Sequence, residues 1–171
     1  MLLAIPAAAI GLMITGSHQA QTIAPPAAPP AAHATAPRQM PLAGTWSLDV
    51  KRIPAEERPQ KVTIAFRVSE DHKWTTVVEI TAPDGSVRRA ESTAALDGVP
   101  VPVSGTMDFI DTVSLRQPEP GTLVMTLGKN GAPVSTRVYT VSKDRKSMTE
   151  TIVWVGNTVP NMVTTYFDRI D

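Results

Sequence analysis

The later part of this chain is cut at nearly even intervals by turn signals, and no other feature restricts its fold as much. The signals are Pro83-Asp84-Gly85, Asp97-Gly98, Pro118-Glu119-Pro120-Gly121, Asn130-Gly131, Lys143-Asp144-Arg145-Lys146 and Gly156-Asn157. Most intervals between them are twelve or thirteen residues. Asp-Gly and Asn-Gly accept the positive φ that tight hairpins require. Between the turns, apolar and polar residues alternate. Val62, Ile64, Phe66 and Val68 alternate with Lys61, Thr63, Ala65 and Arg67, and Leu123, Met125 and Leu127 with Thr122, Val124 and Thr126. A period of two puts one set on each face of a strand. Even spacing then predicts neighbouring antiparallel strands joined by short loops, a meander. A long meander has two raw edges unless it closes. The expected fold is therefore all-β, a single antiparallel up-and-down (meander) barrel of about eight to ten strands, whose interior is either filled or holds one small ligand.

The barrel is expected to start at Gly44 to Val50, where Trp46, Leu48 and Val50 alternate with Thr45, Ser47 and Asp49. Trp46 then points inward near one end. Pro54 and Pro59 bracket Ala55-Glu56-Glu57-Arg58, which suits a single helical turn over an end of the barrel. Val99-Pro100-Val101-Pro102-Val103 lacks two ladder donors, so it is an edge or a strap across an opening. Ala90, Ser92 and Ala94 share one face, which a large neighbour covers or which leaves space. Further strands are expected at Asp111 to Arg116 and Met162 to Phe167, the last closing the barrel.

The 171 residues have room for one such domain once the N-terminal part is set aside. Leu2 to Ile14 is an uncharged apolar run, short for a membrane span and suited to the core of a leader peptide. We expect residues 1–20 to be a signal peptide cut after Ala20; the alternative is an apolar anchor that stays attached. Residues 21–40 are rich in Pro and Ala, without hydrophobic periodicity, and read as an extended linker. The barrel domain then occupies 41–171. The mature chain is expected to be periplasmic or extracellular, without an integral membrane span. Sixteen basic side chains balance sixteen acidic ones, which argues against a nucleic-acid partner. There is no cysteine, so disulfides, thiolate metal sites and cysteine nucleophiles are excluded.

Several side-chain constellations have both a chemical and a plainer reading. His18 and His33 precede the domain and His72 falls in a polar turn, so a serine–histidine nucleophile has no scaffold-held base. Asp108 and Asp111 flank Phe109-Ile110; a solvated turn accounts for them as well as a shared cation does. No metal or other cofactor is expected. Arg137 and Glu150 share parity with apolar neighbours and so point inward unless the register slips. Facing inward, they form a recognition or acid–base pair, or a buried ion pair without chemistry. Phe66, Trp74, Phe109, Met125, Tyr139 and Trp154 either line a cavity or fill it.

Gly44-Thr45-Trp46-Ser47-Leu48-Asp49, the meander after it and Arg169 just past the last strand together resemble the lipocalin-like (calycin) barrels. The chain is more similar still to exported bacterial lipocalin-like proteins of unassigned function. That likeness adds Leu96-Asp97-Gly98 through Pro102-Val103-Ser104-Gly105, Asp111-Thr112-Val113-Ser114-Leu115-Arg116 and Val141-Ser142-Lys143-Asp144, and runs from about Leu42 to Asp171. It implies that Trp46 and Arg169 form a structural plug, the basic side chain lying over the indole at the closed end. The missing cysteines depart from the disulfide of secreted lipocalins, not from the barrel.

Three functions remain open from the sequence. The first is non-catalytic binding of a small apolar or amphipathic molecule, with Phe66, Trp74, Met125, Arg137, Tyr139, Glu150 and Trp154 as ligand-binding candidates. The second is a structural or protein-interaction module of the cell envelope with a filled barrel. The third is an enzyme of isomerase or lyase type that uses polar cavity groups without His or Cys. The oligomeric state is not legible.

Overall fold

The computed structural model describes residues 40–156 and 162–171. The leader over residues 1–20, the linker except Met40, and the turn after Gly156 lie outside the described residues.

Eleven antiparallel strands form one sheet: β1 (Gly44–Leu48), β2 (Lys61–Val68), β3 (Trp74–Thr81), β4 (Val87–Ala94), β5 (Val101–Pro102), β6 (Ser104–Gly105), β7 (Thr112–Glu119), β8 (Thr122–Lys129), β9 (Ala132–Val141), β10 (Ser147–Trp154) and β11 (Met162–Arg169). Their order is β5-β7-β8-β9-β10-β11-β1-β2-β3-β4-β6. This is the expected meander with its two ends paired: Trp46 lies opposite Arg169 and Leu48 opposite Phe167. β5 and β6 are the two halves of one strap. Val101 and Pro102 pair with β7, and Ser104 and Gly105 pair with β4. The proline-rich segment thus bridges the gap between β4 and β7, where short pairings suffice and missing N–H groups cost little.

Two boundaries differ from expectation. β1 ends at Leu48, because the Asp49 side chain accepts from Lys51 N at 3.2 Å and turns the chain into a 3-10 turn at Val50–Arg52, which the sequence pattern does not predict. The expected single helical turn follows at Ala55–Glu57, as a 3-10 turn. β7 continues through Pro118, where its register with β8 shifts between Arg116 and Glu119. A bulge accommodates a proline because one ladder bond is already lost there.

The inward set is the one the alternation marks. Trp46, Ile64, Phe66, Trp74, Leu115, Leu123, Met125, Tyr139, Met148 and Phe167 are all buried. Each large apolar side chain so buried contributes roughly 1.5–3 kcal/mol against conformational entropy. The small face of β4 is covered at one end, where Trp74 stands opposite Ala94. Beside Ala90 and Ser92 it leaves a space of ≈ 30 Å³ beneath the strap. Phe109 is a correction: it sits in the loop before β7 and is exposed, so it neither lines nor fills the interior.

Candidate functional site

The interior divides along the barrel axis. The end near Trp46 is packed solid. The Arg169 guanidinium lies 4.1 Å over the Trp46 ring. Indole Nε1 donates to the Leu42 carbonyl at 2.9 Å. Arg169 also donates to the carbonyls of Ala43 and Arg145, holding the segment before β1 against the last strand. Above this end, Phe66 meets Trp74 edge-on at 6.2 Å and Tyr139 edge-on at 5.5 Å between ring centroids, a packed aromatic layer.

A polar floor rests on that layer, built from three neighbouring strands. Inward parity places Arg137 and Tyr139 on β9, Glu150 and Ile152 on β10, and Thr165 and Phe167 on β11. The register sets Glu150 directly opposite both Tyr139 and Thr165. Arg137 lies one diagonal step away, opposite Ile152. Directly opposed and diagonal residues of a sheet are within reach of long side chains, and these three converge on one carboxylate. Glu150 Oε1 accepts from Arg137 Nη1 and from the Tyr139 hydroxyl, and Oε2 accepts from Thr165 Oγ1, each at 2.8 Å. Glu150 is only 4 % exposed. A carboxylate that deep persists only when paired and hydrogen-bonded. Burial first, and then the negative charge of Glu150, push the Tyr139 phenol well above its ordinary value. Burial opposes the charge of Arg137, but Tyr139 and Glu150 more than offset it and hold the guanidinium above its ordinary value. Arg137 also lies 5.8 Å from the centre of the Trp154 ring.

Above the floor the barrel opens. A cavity of ≈ 400 Å³ is walled by Leu48, Val62, Ile80 and Ile152, with Arg137, Glu150, Thr165 and Phe167 at its base. Ile53 and Glu56–Pro59, from the segment between β1 and β2, also line it, as does Arg88 of β4. A second opening of ≈ 280 Å³ runs beside β11 and shares Leu48, Ile53, Glu57 and Thr165 with the first. It is flanked by Arg52, which pairs with Asp49 at 3.0 Å and stacks 4.2 Å over Tyr166.

The structure distributes the seven ligand-binding candidates over four places. Arg137 and Glu150 line the mouth cavity. Phe66, Trp74 and Tyr139 form the layer beneath it, although the Tyr139 hydroxyl reaches the floor. Met125 borders the small space under the strap, and Trp154 is half-buried beside Arg137. The question of hollow or filled has a split answer: one half is packed and the other is open. Sequence reasoning missed Thr165, Ile152, Leu48, Val62, Ile80 and Arg88. The signal of parity was present for all six, since Thr165 alternates in step with Phe167, Ile152 with Glu150, Leu48 with Trp46, Val62 with Phe66, Ile80 with Trp74 and Arg88 with Ala90; what parity lacked was depth along the barrel. Asp111 Oδ2 accepts from Asn130 N at 2.8 Å across a hairpin end, while Oδ1 is buried without a partner among the described residues. No group of three or more metal-ligating side chains occurs among the described residues. No helix among them is long and apolar enough to cross a membrane.

No family model and no curated protein matches the chain. Among solved structures it is similar to a Schistosoma mansoni fatty acid binding protein in complex with arachidonic acid, with a TM-score of 0.53 at 14% identity over 77% of this chain and 97% of that one. The fluorescent protein UnaG aligns with a TM-score of 0.48 at 14% identity over 75% of this chain and 96% of its own. At such identity the first likeness is one of fold: a calycin-like β-barrel.

Proposed function

We propose that the protein is an exported calycin-like barrel that holds a small apolar or amphipathic molecule in its open half and does no chemistry on it. The observation that carries this reading is the ≈ 400 Å³ cavity, with aliphatic walls, a hydrogen-bonded charged floor and a packed layer beneath. Ligand sites have this character: concave, mostly apolar, with a few oriented polar groups. The Schistosoma mansoni barrel of similar fold holds arachidonic acid. Binding without catalysis is supported by the floor itself, where Arg137, Tyr139 and Thr165 all donate to one carboxylate and lock it in place. Export is supported by the apolar run at residues 2–14 and the small residue at Ala20, and by the resemblance to exported bacterial lipocalin-like proteins.

A hydrophobic fluorescent probe should bind the folded protein saturably, and native mass spectrometry of protein from its own host should show a retained small molecule. Probe binding that appears only on partial unfolding would favour the second reading, an interaction module of the envelope, which the packed lower half suits. N-terminal sequencing should find the mature chain starting near Gln21 outside the cytoplasm; an intact Met1 in a cytoplasmic fraction would refute export.

A further inference from the structure

We infer that the mouth selects a molecule with an uncharged polar end, such as the hydroxyl, amide or ester of an apolar chain, over one ending in a carboxylate. The inference rests on the reading of the mouth as a ligand site. Its basis is how the floor donors are spent. Arg137 Nη1, the Tyr139 hydroxyl and Thr165 Oγ1 all point at Glu150. The one cationic group at the base of the cavity therefore already has its counter-charge. A ligand carboxylate approaching Arg137 would stand beside the Glu150 carboxylate with little water between them. Like charges at short range repel each other. The ligand anion would also shed its hydration without gaining an unspent cation.

The rim does not restore an attraction. Six charged side chains line the cavity, Glu56, Glu57 and Glu150 against Arg58, Arg88 and Arg137, three of each sign. Arg58 is itself turned onto the carbonyls of Ile53 and Lys51. A neutral polar group meets none of these penalties. The Arg137 side chain keeps 18% of its surface exposed, and Nη1 is the one guanidinium nitrogen that bonds Glu150. The floor thus offers donor capacity to a neutral oxygen, while the second lone pair of Glu150 Oε2, which accepts only from Thr165, can take a hydroxyl or amide proton. Leu48, Val62, Ile80 and Ile152 provide the wall for the chain.

The test is displacement of a bound hydrophobic probe from the full-length protein around pH 8 by decanol, decanamide and decanoate, which share one chain and differ at the end. Decanol and decanamide should bind about tenfold or more tightly than decanoate, a difference near 1.4 kcal/mol. Lowering the pH to about 5, where a growing share of the acid is neutral, should narrow the gap. In Glu150→Gln, the freed guanidinium should raise decanoate affinity about tenfold while decanol changes little. The wild-type series decides alone if that variant does not fold. Decanoate binding as tightly as decanol, or a folded Glu150→Gln with unchanged decanoate affinity, would overturn the inference and leave the binding site standing. Saturable binding by none of the three would overturn both.

Discussion

Replacing Trp46 by alanine tests the closed end of the barrel directly. The indole is fully buried, donates to the Leu42 carbonyl and carries the Arg169 guanidinium on its face. Truncating a buried aromatic to alanine costs about 3–5 kcal/mol through lost transfer energy and the cavity left behind. The Leu42 carbonyl, left inside without its donor, adds about 1 kcal/mol. The lost stacking of Arg169 adds about 0.5–1 kcal/mol more. The sum, roughly 4.5–7 kcal/mol, is a large share of the 5–15 kcal/mol that typically holds a domain together. With a urea slope of about 2 kcal/mol per molar, the midpoint should fall by about 2–3.5 M. Trp46→Phe keeps most of the ring and gives up the Nε1 bond, so it should cost only about 1–2 kcal/mol. Far-UV circular dichroism is the right signal, because Trp74 and Trp154 complicate fluorescence. A Trp46→Ala protein that unfolds within about 1 kcal/mol of wild type would refute the account, since an indole that dispensable is not closing the barrel.

Three further perturbations bear on the fold. The Tyr139 phenol lies well above its ordinary value in the folded state, chiefly through burial. Its neutral form is therefore favoured by folding: the contribution is whole below about pH 10 and is lost as pH rises through the higher folded value. Tyr139→Phe should flatten the alkaline limb of a stability–pH profile while lowering stability at neutral pH by about 1–2 kcal/mol, because Glu150 loses a donor; an unchanged alkaline limb would contradict this. Gly105 has φ +126, and a Cβ there would collide with the backbone carbonyl of Arg89. Gly105→Ala should detach the strap from β4 and speed amide exchange at Thr106, which bonds to that carbonyl at 2.7 Å. Gly131→Ala, at φ +77 with open space around it, should carry only the backbone strain of about 1 kcal/mol.

What the sequence by itself determined is whatever has a local cause. Alternation sorted residues into inward and outward sets because side-chain direction on a strand depends only on parity. That was enough to turn Arg137, Tyr139 and Glu150 inward. Asp84-Gly85 and Asn130-Gly131 set hairpin register because their backbones take positive φ: Gly85 at 84°, Asn130 at 51°, Gly131 at 77°. The prolines around Val101 kept that segment out of the body of the sheet because they lack donors. Depth along the barrel axis is a different matter. It depends on how far each strand is staggered against the next all the way round, and no single strand carries that information. Tertiary structure alone therefore separated Phe66, Trp74 and Tyr139, which pack, from Arg137 and Glu150, which line the open half. The register of β11 on β10 set Thr165 opposite Glu150, whereas closure is the pairing of the last strand with the first. The same pairing of last strand with first brought Arg169 over Trp46 and onto the Ala43 carbonyl, 126 residues away in sequence. Asp49 ended β1 early for a reason that is local in space yet invisible to periodicity: a carboxylate can cap the next backbone N–H groups in place of extending the ladder. The turn it starts leads into Ile53–Pro59, five of whose residues line the cavity.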